Sequence, residues 1–170
     1  MKKRVLLPAF LLLLLIAAAL WYTRPRTIQQ LCPELDLSNC QSITVYSGIM
    51  PYVELERMVL EKDSPQFQAL MEDLQTRTFS PSLTSLLPRG GRSVRVEDGD
   101  FRWELHLEFD RLVTPDGNGH AGQLLHLTNF FGSLELEYVL GNSWRVSTPD
   151  QEVWLAQVRD LLIEGQNQGK

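Results

Sequence analysis

The sequence predicts an α+β fold: an N-terminal transmembrane or signal helix, then a two-layer domain in which an antiparallel sheet carries two helices on one face. Three observations predict it. Val5–Tyr22 is an uncharged apolar run of 18 residues. Phe101–Asp110 alternates apolar and polar residues at the two-residue period of a half-buried strand. Phe67, Leu70, Met71 and Leu74 recur at the spacing of a single helix stripe.

A helix of that first run rises ~27 Å at ~1.5 Å per residue, close to the ~30 Å hydrocarbon core of a bilayer. Lys2, Lys3 and Arg4 precede it, and the aromatic pair Trp21-Tyr22 and then Arg24 and Arg26 follow it. The greater positive charge before the run keeps Met1 in the cytosol and puts the domain outside a cell membrane crossed once. A secretory signal shares this pattern, with Ala17-Ala18-Ala19 as its cleavage site, and cleavage after Ala19 releases a secreted domain. The expected division is a signal-anchor at 1–26, a linker with a cysteine loop at 27–42, one extracytoplasmic α+β domain at 43–165, and a tail at 166–170.

Within the domain, Ile43–Tyr46 and Tyr52–Leu60 read as strands separated by the turn residues Ser47, Gly48 and Pro51. Ser64 caps a helix of roughly 12 residues with Pro65 in its first turn. Phe79–Pro88 is ambiguous, because Pro81 and Pro88 oppose a long helix. Asp98-Gly99 is a hairpin turn that pairs Val96 with Phe101 and Val94 with Trp103. Thr114–Gly122 is a loop by its Pro and Gly content, and strands follow at Gln123–Thr128 and Ser133–Leu140, with Trp144 and Val146 on a return strand. Thr148 is expected to cap the last helix, with Pro149 leading, Gln151 completing a capping box, and Gly165 ending it. Trp103, Trp144 and Trp154 read as core.

The net charge is −5, and five cations sit in residues 1–26 with no acid, which leaves −10 on the remainder. An acidic body of this kind excludes nucleic acid as a partner. Cys32 and Cys40 are the two cysteines, and outside the cytosol they are expected to close a small disulfide loop. Their spacing is not a CxxC redox motif, and no histidine lies near enough in sequence to suggest zinc.

Two clusters carry candidate chemistry. Glu104, His106 and Glu108 point to one side of one strand, and His126, Glu135 and Glu137 join them if their strands are neighbours. Imidazole with carboxylate binds a divalent metal or shuttles a proton, while strand alternation on a solvated face produces the same spacing without function. Arg89, Arg92, Arg95 and Arg102 form a candidate anion site, with salt bridges to Glu97, Asp100 and Glu104 as the plain alternative. Arg89–Arg92 and Asp116–Gly119 match neither a phosphate loop nor a calcium loop. No cofactor or resident metal is expected. The function expected is a non-catalytic domain that binds a protein or envelope component, with the membrane contacted through the N-terminal helix. The alternatives are a small metal-assisted hydrolase built on Glu104, His106 and Glu108, and an inhibitor or immunity-type interaction module.

Overall fold

A computed structural model describes residues 3–49, 55–86, 101–113, 119–129, 133–138 and 143–168. The chain runs α1 (Lys3–Thr23), β1 (Arg26–Thr27), α2 (Ile28–Leu31), β2 (Cys40–Ile49), β3 (Glu56–Glu61), α3 (Pro65–Thr76), β4 (Thr78–Pro81), β5 (Phe101–Val113), β6 (Gly119–Thr128), β7 (Leu134–Tyr138), β8 (Ser143–Ser147) and α4 (Gln151–Gln168). Short 3-10 turns at Leu37–Asn39 and Leu83–Leu86 complete it. The eight strands form one sheet in the order β1-β4-β8-β7-β6-β5-β2-β3, antiparallel at every pairing. Among the described residues the fold is α+β with eight antiparallel strands and four helices, where a membrane or signal helix, an antiparallel sheet and two covering helices were expected.

Alternation decides which side of the sheet is dry. Trp103, Leu105, Leu107 and Phe109 of β5 are buried, as are Ile43 and Val45 of β2, Leu125 and Leu127 of β6, and Leu134 and Leu136 of β7. Helix α3 lays Phe67, Leu70, Met71 and Leu74 into this core, and α4 adds Trp154, Val158 and Leu162. Trp154 meets the edge of Trp103 at 5.9 Å and of Phe79 at 6.1 Å between ring centroids. Ser64 caps α3 by accepting from Phe67 N at 3.2 Å, with Pro65 at the head of the helix as expected for a ring that lacks an N–H.

Helix α1 forms over the apolar stretch, yet among the described residues no helix is long and apolar enough to cross a membrane. Pro8 lies inside α1. The C-terminal end of this helix belongs to the domain. Tyr22 packs against the core, Arg26 donates to Tyr22 O at 2.8 Å, and the guanidinium groups of Arg24 and Arg26 lie over the Trp21 ring. The single-pass anchor is therefore not supported, nor are the cell-membrane location and the release after Ala19 that followed from it.

The expected disulfide is absent. Cys32 and Cys40 are both buried free thiols. Cys32 caps the C-terminus of α2 and Cys40 opens β2. The turn between them is closed by other means. Asp36 accepts from Ser38 N at 3.0 Å, from Ser38 Oγ at 2.7 Å and from Asn39 Nδ2 at 3.2 Å, while Leu35 and Leu37 are buried. Each sulfur fills the core as a small apolar group.

Several boundaries differ from expectation. Thr27 starts α2 in a capping box with Gln30, within the stretch expected to be a linker. The ladder between β5 and β6 extends to Val113↔Gly119, so Gly119–Gly122 is strand where a loop was expected. Thr148 Oγ1 donates to Thr78 O at 2.9 Å in place of capping α4, and Asp150 at φ 50° turns the chain into that helix. Helix α4 runs through Gly165, where a Cβ would come within 3.2 Å of Met58 Sδ. That glycine answers close packing against β3. Val94, Val96 and the Asp98-Gly99 turn lie outside the described residues; the strands found beside β5 are β2 and β6.

Candidate functional site

The outer face of the sheet is built by the residues that alternate with the core. Strand register sets them in rows: Thr44, His106, His126 and Glu137 lie across β2, β5, β6 and β7, and Tyr46, Glu104, Thr128 and Glu135 lie in the next row. The pairing of β5 with β6 brings His126 beside His106, although the two are far apart in sequence. Their rings stack in parallel, with centroids 4.0 Å apart and an interplanar angle of 7°. Tyr46 flanks His106 at 4.9 Å.

Glu104 stands next to both imidazoles. Its Oε1 lies 2.9 Å from His106 Nε2 and 3.9 Å from His126 Nδ1. One candidate ligand atom from each of the three residues falls within 4.8 Å of the others. The side chains are partly sheltered: 14% of His106, 22% of His126 and 31% of Glu104 is exposed. His126 Nε2 is buried without a hydrogen-bond partner among the described residues.

The electrostatics follow from this crowding. The hydrogen bond from His106 holds the Glu104 carboxyl below its usual range, outweighing the opposing effect of burial. Burial, and then the neighbouring His106, push His126 down, against the pull of Glu104 and Glu137. Near neutral pH the site is therefore a charged carboxylate beside a neutral His126 ring.

No protein-family model, no curated protein and no solved structure matches the chain. Its chemistry is read from its own residues.

The fourth residue of the expected polar cluster, Glu108, is drawn toward β2. It accepts from Thr44 Oγ1 at 2.7 Å and from Ser42 Oγ at 3.3 Å, and it is not part of the three-residue group. Of the expected anion site, Arg102 donates to Asn129 O at 2.9 Å, and Arg89, Arg92 and Arg95 lie outside the described residues. Thr44 and Thr128, the hydroxyls beside the histidines, both donate elsewhere, to Glu108 and to Trp103 O. Burial pushes the Cys32 and Cys40 thiols up to about 12, too high for a thiolate nucleophile. A hollow at the end of β2 and β3 against α3, lined by Cys40, Glu61, Lys62, Phe67, Met71 and Glu72, does not include the histidines. Tyr46 and Asn129 were missed from sequence. Tyr46 follows from alternation once β2 is placed beside β5; Asn129, which accepts from Trp103 N at 2.8 Å, left no signal.

Proposed function

We propose that the chain is a non-catalytic binding domain that presents the outer face of its sheet to a positively charged protein partner. The observation that carries this reading is the placement of Glu104, Glu108, Glu135 and Glu137 on the outer side of β5 and β7, opposite the side where α3 and α4 pack. Arg145 reaches Glu135 at 3.3 Å, whereas Glu104 faces imidazoles. A net charge of −5 for the chain adds a long-range pull on a cationic partner, felt within about 10 Å at ordinary salt. The hydroxyls near the face are committed, and the two thiols are buried in the core and held protonated, which favours recognition over nucleophilic chemistry.

The test is calorimetric titration of the protein with an oligo-arginine peptide at low and moderate salt. The expected result is a salt-sensitive binding heat that disappears when Glu104, Glu108, Glu135 and Glu137 are all changed to Gln. No heat at low salt, or heat that survives the four substitutions, overturns the reading.

A further inference from the structure

We infer that Glu104, His106 and His126 form a site for one divalent transition-metal ion of the zinc type. This rests on the outer face being the binding face, though not on the identity of any protein partner. Three independent features of the geometry meet here. The first is the donor set: two imidazoles and one carboxylate suit zinc, cobalt, nickel or copper and not the hard, oxygen-seeking calcium or magnesium. The second is the backbone that delivers it. Glu104 and His106 are two apart on β5 and so share a face, while His126 stands directly opposite His106 on β6. Three ligands from two hydrogen-bonded strands in the middle of an eight-stranded sheet are held with little freedom to lose on binding.

The third feature is an unmet need. His126 Nδ1 lies 3.9 Å from Glu104 Oε1, beyond hydrogen-bond reach, and Nε2 is buried with no hydrogen-bond partner among the described residues. A cation seated between Glu104 Oε1, His106 and His126 gives Nδ1 the partner that Glu104 is too far away to be, since a donor atom from each lies within 4.8 Å of the others, and turning the two rings out of their parallel stack brings their in-plane lone pairs to one point. The surroundings suit such an ion. Glu137, in register with His126 on the neighbouring strand, adds a carboxylate to the same face. The Tyr46 ring shelters the far side of His106. Three protein ligands leave a fourth position open outward, where water or a side chain of a docked protein completes a tetrahedron.

The site is tested with Co²⁺ and Zn²⁺ on the full chain. Co²⁺ is expected to give the visible absorption of a four-coordinate ion at one equivalent. Zn²⁺ is expected to displace it and raise Tm, with Ca²⁺ giving neither effect. His126→Phe keeps a flat ring in the stack but offers no nitrogen, and Glu104→Gln keeps the side-chain shape. Both are expected to retain the native circular dichroism and lose the Co²⁺ band. No band with the unaltered protein overturns the site, as does a band that persists in both variants, which would place the ion elsewhere in the chain. The oligo-arginine titration, repeated in chelator, separates the two proposals: peptide binding without a Co²⁺ band refutes the metal site alone, and a band without peptide binding refutes the protein-binding reading alone.

Discussion

Trp154 Nε1 donates to Asp73 Oδ2 at 2.7 Å and thereby joins the two helices that cover the sheet. The same carboxylate holds Arg77 through Nε at 2.8 Å and Nη2 at 2.6 Å, and the Arg77 guanidinium lies 4.7 Å from the Trp154 ring centre. Three side chains thus close a ring in which each touches the other two.

Removing the carboxylate should loosen that closure. Asp73→Ala leaves the Trp154 N–H and the Arg77 guanidinium without their acceptor, at a cost of about 1–3 kcal/mol. Asp73→Asn still offers an oxygen to Trp154 and should lose less. Urea unfolding followed by tryptophan fluorescence measures both, and equal losses would show that the indole bond contributes nothing.

Leu107 sits between Ile43 of β2 and Leu125 of β6, and all three are fully buried. Leu107→Ala should cost about 2–5 kcal/mol through lost burial and the cavity left behind. Arg57→Ala, on the exposed edge strand β3, should change stability by less than about 0.5 kcal/mol. The midpoints of urea unfolding compare the two directly.

The cysteines give a pH prediction. Both thiols have an ordinary value of 9.0 and are raised to about 12 in the fold by burial. Below pH 9 both states hold the protons and stability is unaffected. Between pH 9 and about 12 the unfolded chain releases them first, so stability falls as pH rises. Replacing both residues with Ala should flatten that decline. A thiol reagent at pH 8 should label neither cysteine in the folded protein and both in urea, and a reductant should leave Tm unchanged.

Gly165 offers a small gain. Gly165→Ala brings its Cβ within 3.2 Å of Met58 Sδ, and the thioether chain is flexible enough to yield. The improved helix propensity should then raise stability by up to about 1 kcal/mol. Gly165→Ile, whose branched side chain demands more room, should lower it. Thermal melts of the two variants decide whether packing or propensity governs the position.

What could be read from sequence tracks how local each signal is. The alternation of Phe101–Asp110 carries its own face assignment, and the Ser64 cap with the stripe behind it carries a complete helix. The polar cluster was half legible. Glu104 and His106 share a face by spacing alone, but His126 joins them through a ladder whose register depends on both β5 and β6. Of the four-arginine group, Arg102 bonds the Asn129 carbonyl, and the other three lie outside the described residues. Hydropathy identified α1 as apolar yet held no record of Tyr22 packing against the core. The disulfide was inferred from a compartment, and no spacing rule could show that both sulfurs are buried apart as thiols.

The order of strands also constrains how the chain assembles during synthesis. Strands β2 and β3 are neighbours in sequence and in space and can associate as they emerge. Strand β4 can pair with β1 early, through Arg26↔Phe79 and Thr27↔Thr78, but its other sheet partner is β8, with Ser80 set against Ser147. The β1–β4 edge must therefore wait for β8 before it joins the rest of the sheet. Only then does the long closure between positions 80 and 147 become possible, a slow kind of contact that leaves the first-made segment as the last to find its place.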